Sequence, residues 1–385
     1  MNAIAGNTWM VATVWMALAA VSALLAVRLK FAAALIEIVI GVLAGNFLDL
    51  RTNEWVDFVA GFGSILLTFL AGAEIDPAVL RKQFVPSATL GFVSFFAPFA
   101  AAWAYALYVG HWAPDGAKIA GIAMSTTSVA VVYAVLVESG LSKREFGQLI
   151  LAACFFTDLG TVVALGLLFA NYNLWLAALV LLIVVSMAVV PKLLPAMLES
   201  MQRYVSEPAL RVLFAIIFLL AAVATYAKSE GVLPAYFLGL ACAGMMITHS
   251  DVKRRLQTMT MTILAPFYFL KAGTFVSLRD ALSGAGLIAA LFFVKVLAKI
   301  GGVWPTARIL RYESRDAGYL TLLMATGLTF GTISSLYGLT HHYIDRSQYT
   351  ALVTVVILTA VVPTVIAQAL FKPTEEPPEL EAEVP

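Results

Sequence analysis

The sequence predicts an all-α polytopic membrane protein with about thirteen transmembrane helices, and three observations lead there. Of its 385 residues, 61% are hydrophobic and 12% charged, with a mean hydropathy of +0.92. Soluble domains carry about 45–50% apolar and about 25% charged residues. Apolar stretches of the length that crosses a bilayer, about 20 residues, recur between short breaks rich in charge, Pro, Gly or Asn. These stretches are continuous rather than alternating, which excludes a membrane β-barrel. The composition argues against a water-soluble enzyme, and a net charge of +1 offers no surface for nucleic acid.

The first span, 8–27, follows an N-terminus (MNAIAGNTWM) without the basic region of a cleavable signal, so it stays as a helix. The second and third, 31–49 and 55–73, flank the polar break LRTNE. The fourth, 85–109, follows Arg81 and Lys82, and the fifth, 117–138, ends at Glu138. The sixth, 146–170, starts after Lys143 and Arg144; the seventh, 174–195, starts after the polar NYN at 171–173. The eighth and ninth are 208–228 and 232–248, and the tenth, 257–277, follows Lys253, Arg254 and Arg255. The last three are 283–310, 316–338 and 347–371; the acidic, Pro-rich tail 373–385 is expected to be disordered. Cys154 and Cys242 lie inside apolar runs, where a thiol is a small hydrophobe. They suggest neither a disulfide framework nor a metal site.

Lys and Arg in the loops set the orientation. With the N-terminus outside, sixteen fall on the inner side, five on the outer side and three (Lys271, Lys295 and Lys299) within spans, accounting for all 24. The bias predicts N-out and C-in, hence an odd number of crossings.

A charge at the bilayer centre costs at least about 2.5–3.5 kcal/mol, so such residues usually face a cavity and act there. Asp158 is the leading candidate, mid-span in LAACFFTDLGTVVALGLL. Burial disfavours its charged form, which sets proton and metal ion in competition for it. Lys295 and Lys299, four apart, share a helix face. Lys295 lies deeper, as counter-charge to an ionised site or as a hydrogen-bond donor to the scaffold; Lys299 and Lys271 are placed to snorkel toward the interface. Two spans read as broken. Ser125, Thr126, Thr127 and Ser128 stand in a row in the fifth, where hydroxyls compete for backbone hydrogen bonds. Gly327 and Gly331 sit among Thr and Ser in the twelfth. Division of the helices as six, one and six puts both breaks at the fifth position of its half. An odd offset of seven inverts the halves, and paired interruptions in inverted repeats point to a transporter's binding site.

The segments IEIVIGVLAGN (around 37–46), ILLTFLAGAEID (65–76), MSTTSVAVVYAVLVESG (124–140), FFTDLG (155–160), SEGVLPAYFLGLACAGM (229–245) and APFYFLKAGTFVSL (265–278) resemble the monovalent cation:proton antiporter superfamily. The likeness is to its second branch, the Kef-type and bacterial sodium/proton exchangers, which implies the plasma (inner) membrane of a prokaryote. The resemblance implies two inverted six-helix repeats with crossed discontinuous helices. Scaffold helices 1–3 (residues 1–83) and 8–10 (206–280) mediate a homodimer. Core transport helices are 4–6 (84–170) and 11–13 (281–372), joined by helix 7 (171–205). It maps the essential aspartate onto Asp158, the core lysine onto Lys295 as charge compensator, and the ion-binding hydroxyls onto Thr126, Thr127 and Ser128. Thr157 joins the ion-binding set as the residue beside Asp158. Glu74 and Lys299 are candidate accessory residues, and Glu37 matches the Glu of the family's second helix.

Electrogenic relatives carry two consecutive aspartates where this chain reads Thr157-Asp158, so one proton per monovalent cation is expected. The nucleotide-binding domain of full Kef-type systems is absent from this chain. The resulting expectation is a secondary transporter that exchanges Na⁺ or K⁺ for H⁺ by alternating access, with membrane lipid around it and no cofactor beyond the transported ions. The alternatives are a Kef-like gated potassium efflux system and an organic-anion transporter of similar fold. An intramembrane hydrolase lacks support: no nucleophile–base pair, HExxH or paired aspartates are evident.

Overall fold

The computed structural model describes residues 7–373 except 30, 49, 170–173, 202–206, 228 and 230; the expected disordered tail from 374 onward lies outside them. All thirteen expected spans correspond to helical segments. These are α1 (Thr8–Leu29), α2 (Ala33–Phe47), α3 (Glu54–Glu74), α4 (Phe84–Ala104, extended by a π turn to Val109), α5a (Pro114–Ser125), α5b (Val129–Glu138) and α6 (Glu145–Phe169). They continue with α7 (Leu174–Met201), α8 (Pro208–Tyr226), α9 (Val232–Thr248), α10 (Ser250–Met259, a π turn, then Ala265–Thr274) and α11 (Ala285–Ile309). The last are α12a (Ser314–Met324), α12b (Thr329–Thr340) and α13 (Arg346–Ile366, with a π turn to Phe371). Caps explain several starts. Asn53 accepts from the Val56 amide ahead of α3, and Asp345 forms a capping box with Gln348 at α13.

Among the described residues nine helices are long and apolar enough to cross a membrane, with α2 and α9 as shorter apolar helices. The other two expected spans differ for physical reasons. The tenth begins at Ser250 rather than 257, because the polar run SDVKRRLQTM is itself helical. The twelfth is two short helices rather than one. Helices on the outside expose apolar side chains, such as Leu24 and Val27 of α1 and Val180, Leu181 and Val184 of α7. That is the surface of an integral membrane protein, whose external solvent is as apolar as its interior.

Helices seven apart have equivalent neighbours. α3 packs along α9 as α10 packs along α2, and α4 contacts α5a and α6 as α11 contacts α12a and α13. The closest approaches repeat as well. A Cβ on Gly72 would strike the Tyr236 carbonyl and one on Gly239 that of Phe69; equally, Gly41 faces the Leu270 carbonyl and Gly273 that of Ile38. In each of the four helices the glycine lies three residues after the carbonyl that its partner approaches, the small-residue packing that lets membrane helices touch backbone to backbone. At the centre, α5a and α5b are buried from Ile119 to Leu136, and α5a packs on α12b.

Candidate functional site

The two interruptions touch each other. α5a stops at Ser125 because Thr126 is extended (φ −62°, ψ 151°), and α5b restarts after Ser128, whose hydroxyl accepts from the Val131 amide at 3.4 Å. The opposing chain between α12a and α12b supplies the partners. The Thr127 hydroxyl donates to the Met324 carbonyl at 2.8 Å, and the Ser128 amide donates to Thr326 Oγ1 at 3.3 Å. Thus the last carbonyl of α12a is satisfied by the unwound stretch after α5a, as buried backbone requires.

Lys299 closes the crossing. Its ammonium donates to Ser94 Oγ at 2.7 Å, the Ser125 carbonyl at 3.0 Å and Thr127 Oγ1 at 3.0 Å, so all three of its hydrogens have acceptors. It also sits at the carboxyl end of α5a, where the half-helix dipole favours a cation. The expectation that Lys299 snorkels is corrected: its side chain is fully buried, because these three oxygens meet it inside the protein. Asp158 lies within the field of Lys299. Lys295 is equally buried, but its Nζ has no hydrogen-bond partner among the described residues. The contacts foreseen for Lys295 are made by Lys299 one turn further on.

Asp158 itself is 5% exposed. Its Oδ1 is buried and has no hydrogen-bond partner, and among the described residues no ion pair joins it to Lys299. A buried polar atom left unpaired costs free energy, so this carboxylate is a ready ligand for a proton or a cation. Cys154, one turn before it on α6, lies within its field, and its sulfur approaches that of Met324 at 3.6 Å.

The remaining expected residues divide. Thr126 borders the α12 break, next to Gly327 and Gly331, while its hydroxyl donates to Ala123 O at 3.0 Å. Thr157 turns toward α4, donating to the Gly91 and Ala153 carbonyls at 3.1 Å each; it ties α6 to α4. Glu74 belongs to a separate cluster. It pairs with Lys253 at 2.8 Å and accepts from Ser142 at 3.3 Å and Gln257 at 3.5 Å. Gln257 also donates to the Tyr133 hydroxyl at 2.7 Å. Glu37 is buried on α2 within the field of Glu138, whose carboxylate accepts from the Ala33 amide at 2.9 Å. Lys271 pairs with Asp57 at 2.7 Å and thus has a protein partner besides the interface. Sequence reasoning missed Ser94, a lone hydroxyl in an apolar run, and the carbonyls of Ser125 and Met324, which no side-chain motif marks.

Both faces carry cavities: on the side where the chain ends, about 390 Å³ beside Glu207 and Arg255 and about 490 Å³ beside Glu138 and Gln368, neither of which is lined by residues of the two helix breaks. Toward the face where the chain ends, polar contacts join α3 and α10 to α5b and its following loop, through Glu74, Lys253, Gln257, Tyr133 and Ser142. Gln148 at the start of α6 adds a bond from the Asp76 amide at 3.1 Å. Toward the opposite face a cavity of about 210 Å³ lies between α3, α9, α10 and α12b, lined by Ser64, Lys271, Thr332 and Leu328 among others. It reaches the edge of the α12 break.

Comparison with known proteins agrees with this geometry. The family model described as sodium/hydrogen exchanger, transmembrane, matches residues 16–372. A probable Na⁺/H⁺ antiporter of Methanocaldococcus jannaschii is 25% identical over 333 residues, covering 84% of this chain and 85% of that protein. A Na⁺/H⁺–K⁺ antiporter of Bacillus cereus is 23% identical over 348 residues (88% and 89%), and a Na⁺/H⁺ antiporter of Enterococcus hirae is 24% identical over 351 (87% and 91%). Among solved structures, a sodium proton antiporter of M. jannaschii at pH 8 superposes with a TM-score of 0.69 at 15% identity, covering 92% of this chain and 94% of that one. The fold is shared, and the chain belongs to the sodium/hydrogen exchanger family.

Proposed function

We propose that this protein exchanges a monovalent cation, Na⁺ or K⁺, for protons across the membrane by alternating access, with Asp158 as the shared ligand. The observation that carries the reading is the nearly fully buried Asp158 carboxylate, whose Oδ1 has no hydrogen-bond partner among the described residues, beside two crossed interrupted helices. An ionised Asp158 takes a partly dehydrated cation, with hydroxyl and carbonyl oxygens of the crossing, Thr126 and Thr127 first, completing the shell. A proton on the same carboxylate displaces the ion. Only the two neutralised forms pass cheaply through the low-dielectric middle, which couples the fluxes. Lys299, held on Ser94, Ser125 and Thr127, supplies the fixed counter-charge; Thr157 acts as packing and Ser128 as a helix cap.

Residues 84–170 and 281–372 form the moving core in this reading, and 1–83 and 206–280 the dimerising scaffold, joined by 171–205. The polar contacts near the chain's end and the cavity on the opposite face then correspond to a state open toward the side of the N-terminus. The loop charge bias assigns that side to the exterior, and the archaeal and bacterial sources of its relatives point to a prokaryotic inner membrane. A single carboxylate in the site supports one proton per cation and electroneutral exchange. The family and the antiporter names of its relatives favour a coupled carrier over a gated channel or an organic-anion transporter.

The test is cation-driven proton flux by the purified protein in liposomes, with each alkali cation added in turn. Asp158→Asn is expected to abolish the flux, and normal exchange by that variant ends the proposal. An imposed membrane potential is expected to leave the wild-type rate unchanged; a clear voltage response overturns the electroneutral part.

A further inference from the structure

One buried ionisable group has no task in this mechanism. Lys295 is fully buried, so it does not snorkel, and its Nζ makes no hydrogen bond among the described residues, so it does not hold the scaffold by one. It is nevertheless accommodated. A Cβ on Gly327, in the unwound stretch of α12, would collide with the Lys295 ammonium, and the same point lies 3.2 Å from Thr126 Oγ1 and 3.4 Å from Thr359 Oγ1. The glycine therefore leaves a notch at the helix break that the lysine head fills. Burying an ammonium without a partner is strongly unfavourable, and a methionine of similar length would fill the notch without that cost. What the lysine adds over methionine is charge. That charge acts on Lys299, one turn along α11, and it lies at the same notch as Thr126 Oγ1, a ligand of the ion in the exchange reading.

We propose that Lys295 is an affinity-setting residue, whose charge at the α12 break weakens cation binding at Asp158 so that the ion is released, and that Gly327 exists to admit it. This rests on the exchange reading above. Lys299 also acts on Asp158 by its charge, but it anchors the crossing through Ser94, Ser125 and Thr127, so Lys295 is the charge that can be removed without untying the broken helices. As a general scale, a unit charge on the order of 10 Å from an ion, in a medium of effective dielectric constant about 20, changes affinity about tenfold; the notch shared with Thr126 Oγ1 places Lys295 within that reach of an ion that Thr126 holds.

The experiment is Na⁺-driven proton flux in proteoliposomes of the full chain at fixed pH, with apparent KM and maximal rate measured separately, alongside thermal stability in detergent. Lys295→Met is expected to lower the apparent KM for Na⁺ about tenfold, with a smaller change in maximal rate. Gly327→Ala, which keeps the charge but drives the head out of the notch, is expected to shift KM in the same direction by less. If both variants keep the wild-type KM and lose only thermal stability, Lys295 is structural and the inference is wrong. A higher KM in Lys295→Met overturns it too, since the charge would then be aiding cation binding. Failure of the exchange reading looks different: wild type without cation-driven flux, or Asp158→Asn with it.

Discussion

Thr127→Val tests the crossing at its most connected point. The substitution removes one hydroxyl with almost no change in shape. That hydroxyl donates to the Met324 carbonyl at 2.8 Å and accepts from Lys299 at 3.0 Å. Both partners are buried, and each group left unsatisfied costs about 1–3 kcal/mol, more for a charged one. The sum is about 3 kcal/mol or somewhat above. Thr126→Val is the control. Its hydroxyl donates only to Ala123 O one turn back, an intrahelical bond whose loss costs about 1 kcal/mol or less. Thermal unfolding in detergent reads the difference: the midpoint of Thr127→Val is expected to fall by several degrees, well beyond that of Thr126→Val. Thr127→Ser, which restores the hydroxyl, is expected to recover most of the loss. Equal stabilities for the two valine variants would refute the claim that Thr127 ties the broken helices together.

Two further outcomes follow from the contacts near the chain's end and the opposite cavity. Lys253→Met leaves the Glu74 carboxylate buried without its cation, and thermal unfolding is expected to register a loss of about 3–5 kcal/mol, largely recovered in the Glu74→Gln, Lys253→Met double variant; an additive loss would contradict the pairing. In a background with Cys154 and Cys242 replaced by Ala, Gly61→Cys, at the exposed rim of the cavity, is expected to react with an impermeant thiol reagent added from the N-terminal side and the buried Ser142→Cys to be protected from the other side, while the reverse pattern would contradict an opening toward the N-terminus.

Much of the fold was legible in the sequence, because membrane spans are written as long apolar runs. The first and third spans, expected at 8–27 and 55–73, lie within two residues of the observed ends. The hydroxyl row at 125–128 and the glycine-rich stretch at 327–331 marked both interruptions, since residues that weaken helical hydrogen bonding show in composition. The tenth helix was read short at its start because charge was taken to end a span, whereas Lys253 and Gln257 on that polar turn reach Glu74 and Tyr133. The site was only partly legible. Asp158 stood out as a lone carboxylate in an apolar run. Lys295 and Lys299 could not be separated, as residues four apart share a face and only the packing against α4 and α5a decides which one finds oxygens. Thr157 resisted for a similar reason. Beside Asp158 in sequence, it points about 100° away around the helix, toward the Gly91 carbonyl.

The most direct test of the shared-ligand claim is the apparent KM for Na⁺ of proton flux in proteoliposomes, measured across a pH series with equal pH on both sides at the start. If proton and cation contend for one carboxylate, KM rises as pH falls, approaching tenfold per pH unit on the acidic limb, and the maximal rate reached at saturating Na⁺ changes far less. A KM that stays constant while the maximal rate falls with acidity would mean that the two ions bind at separate places, and Asp158 would not be their common site.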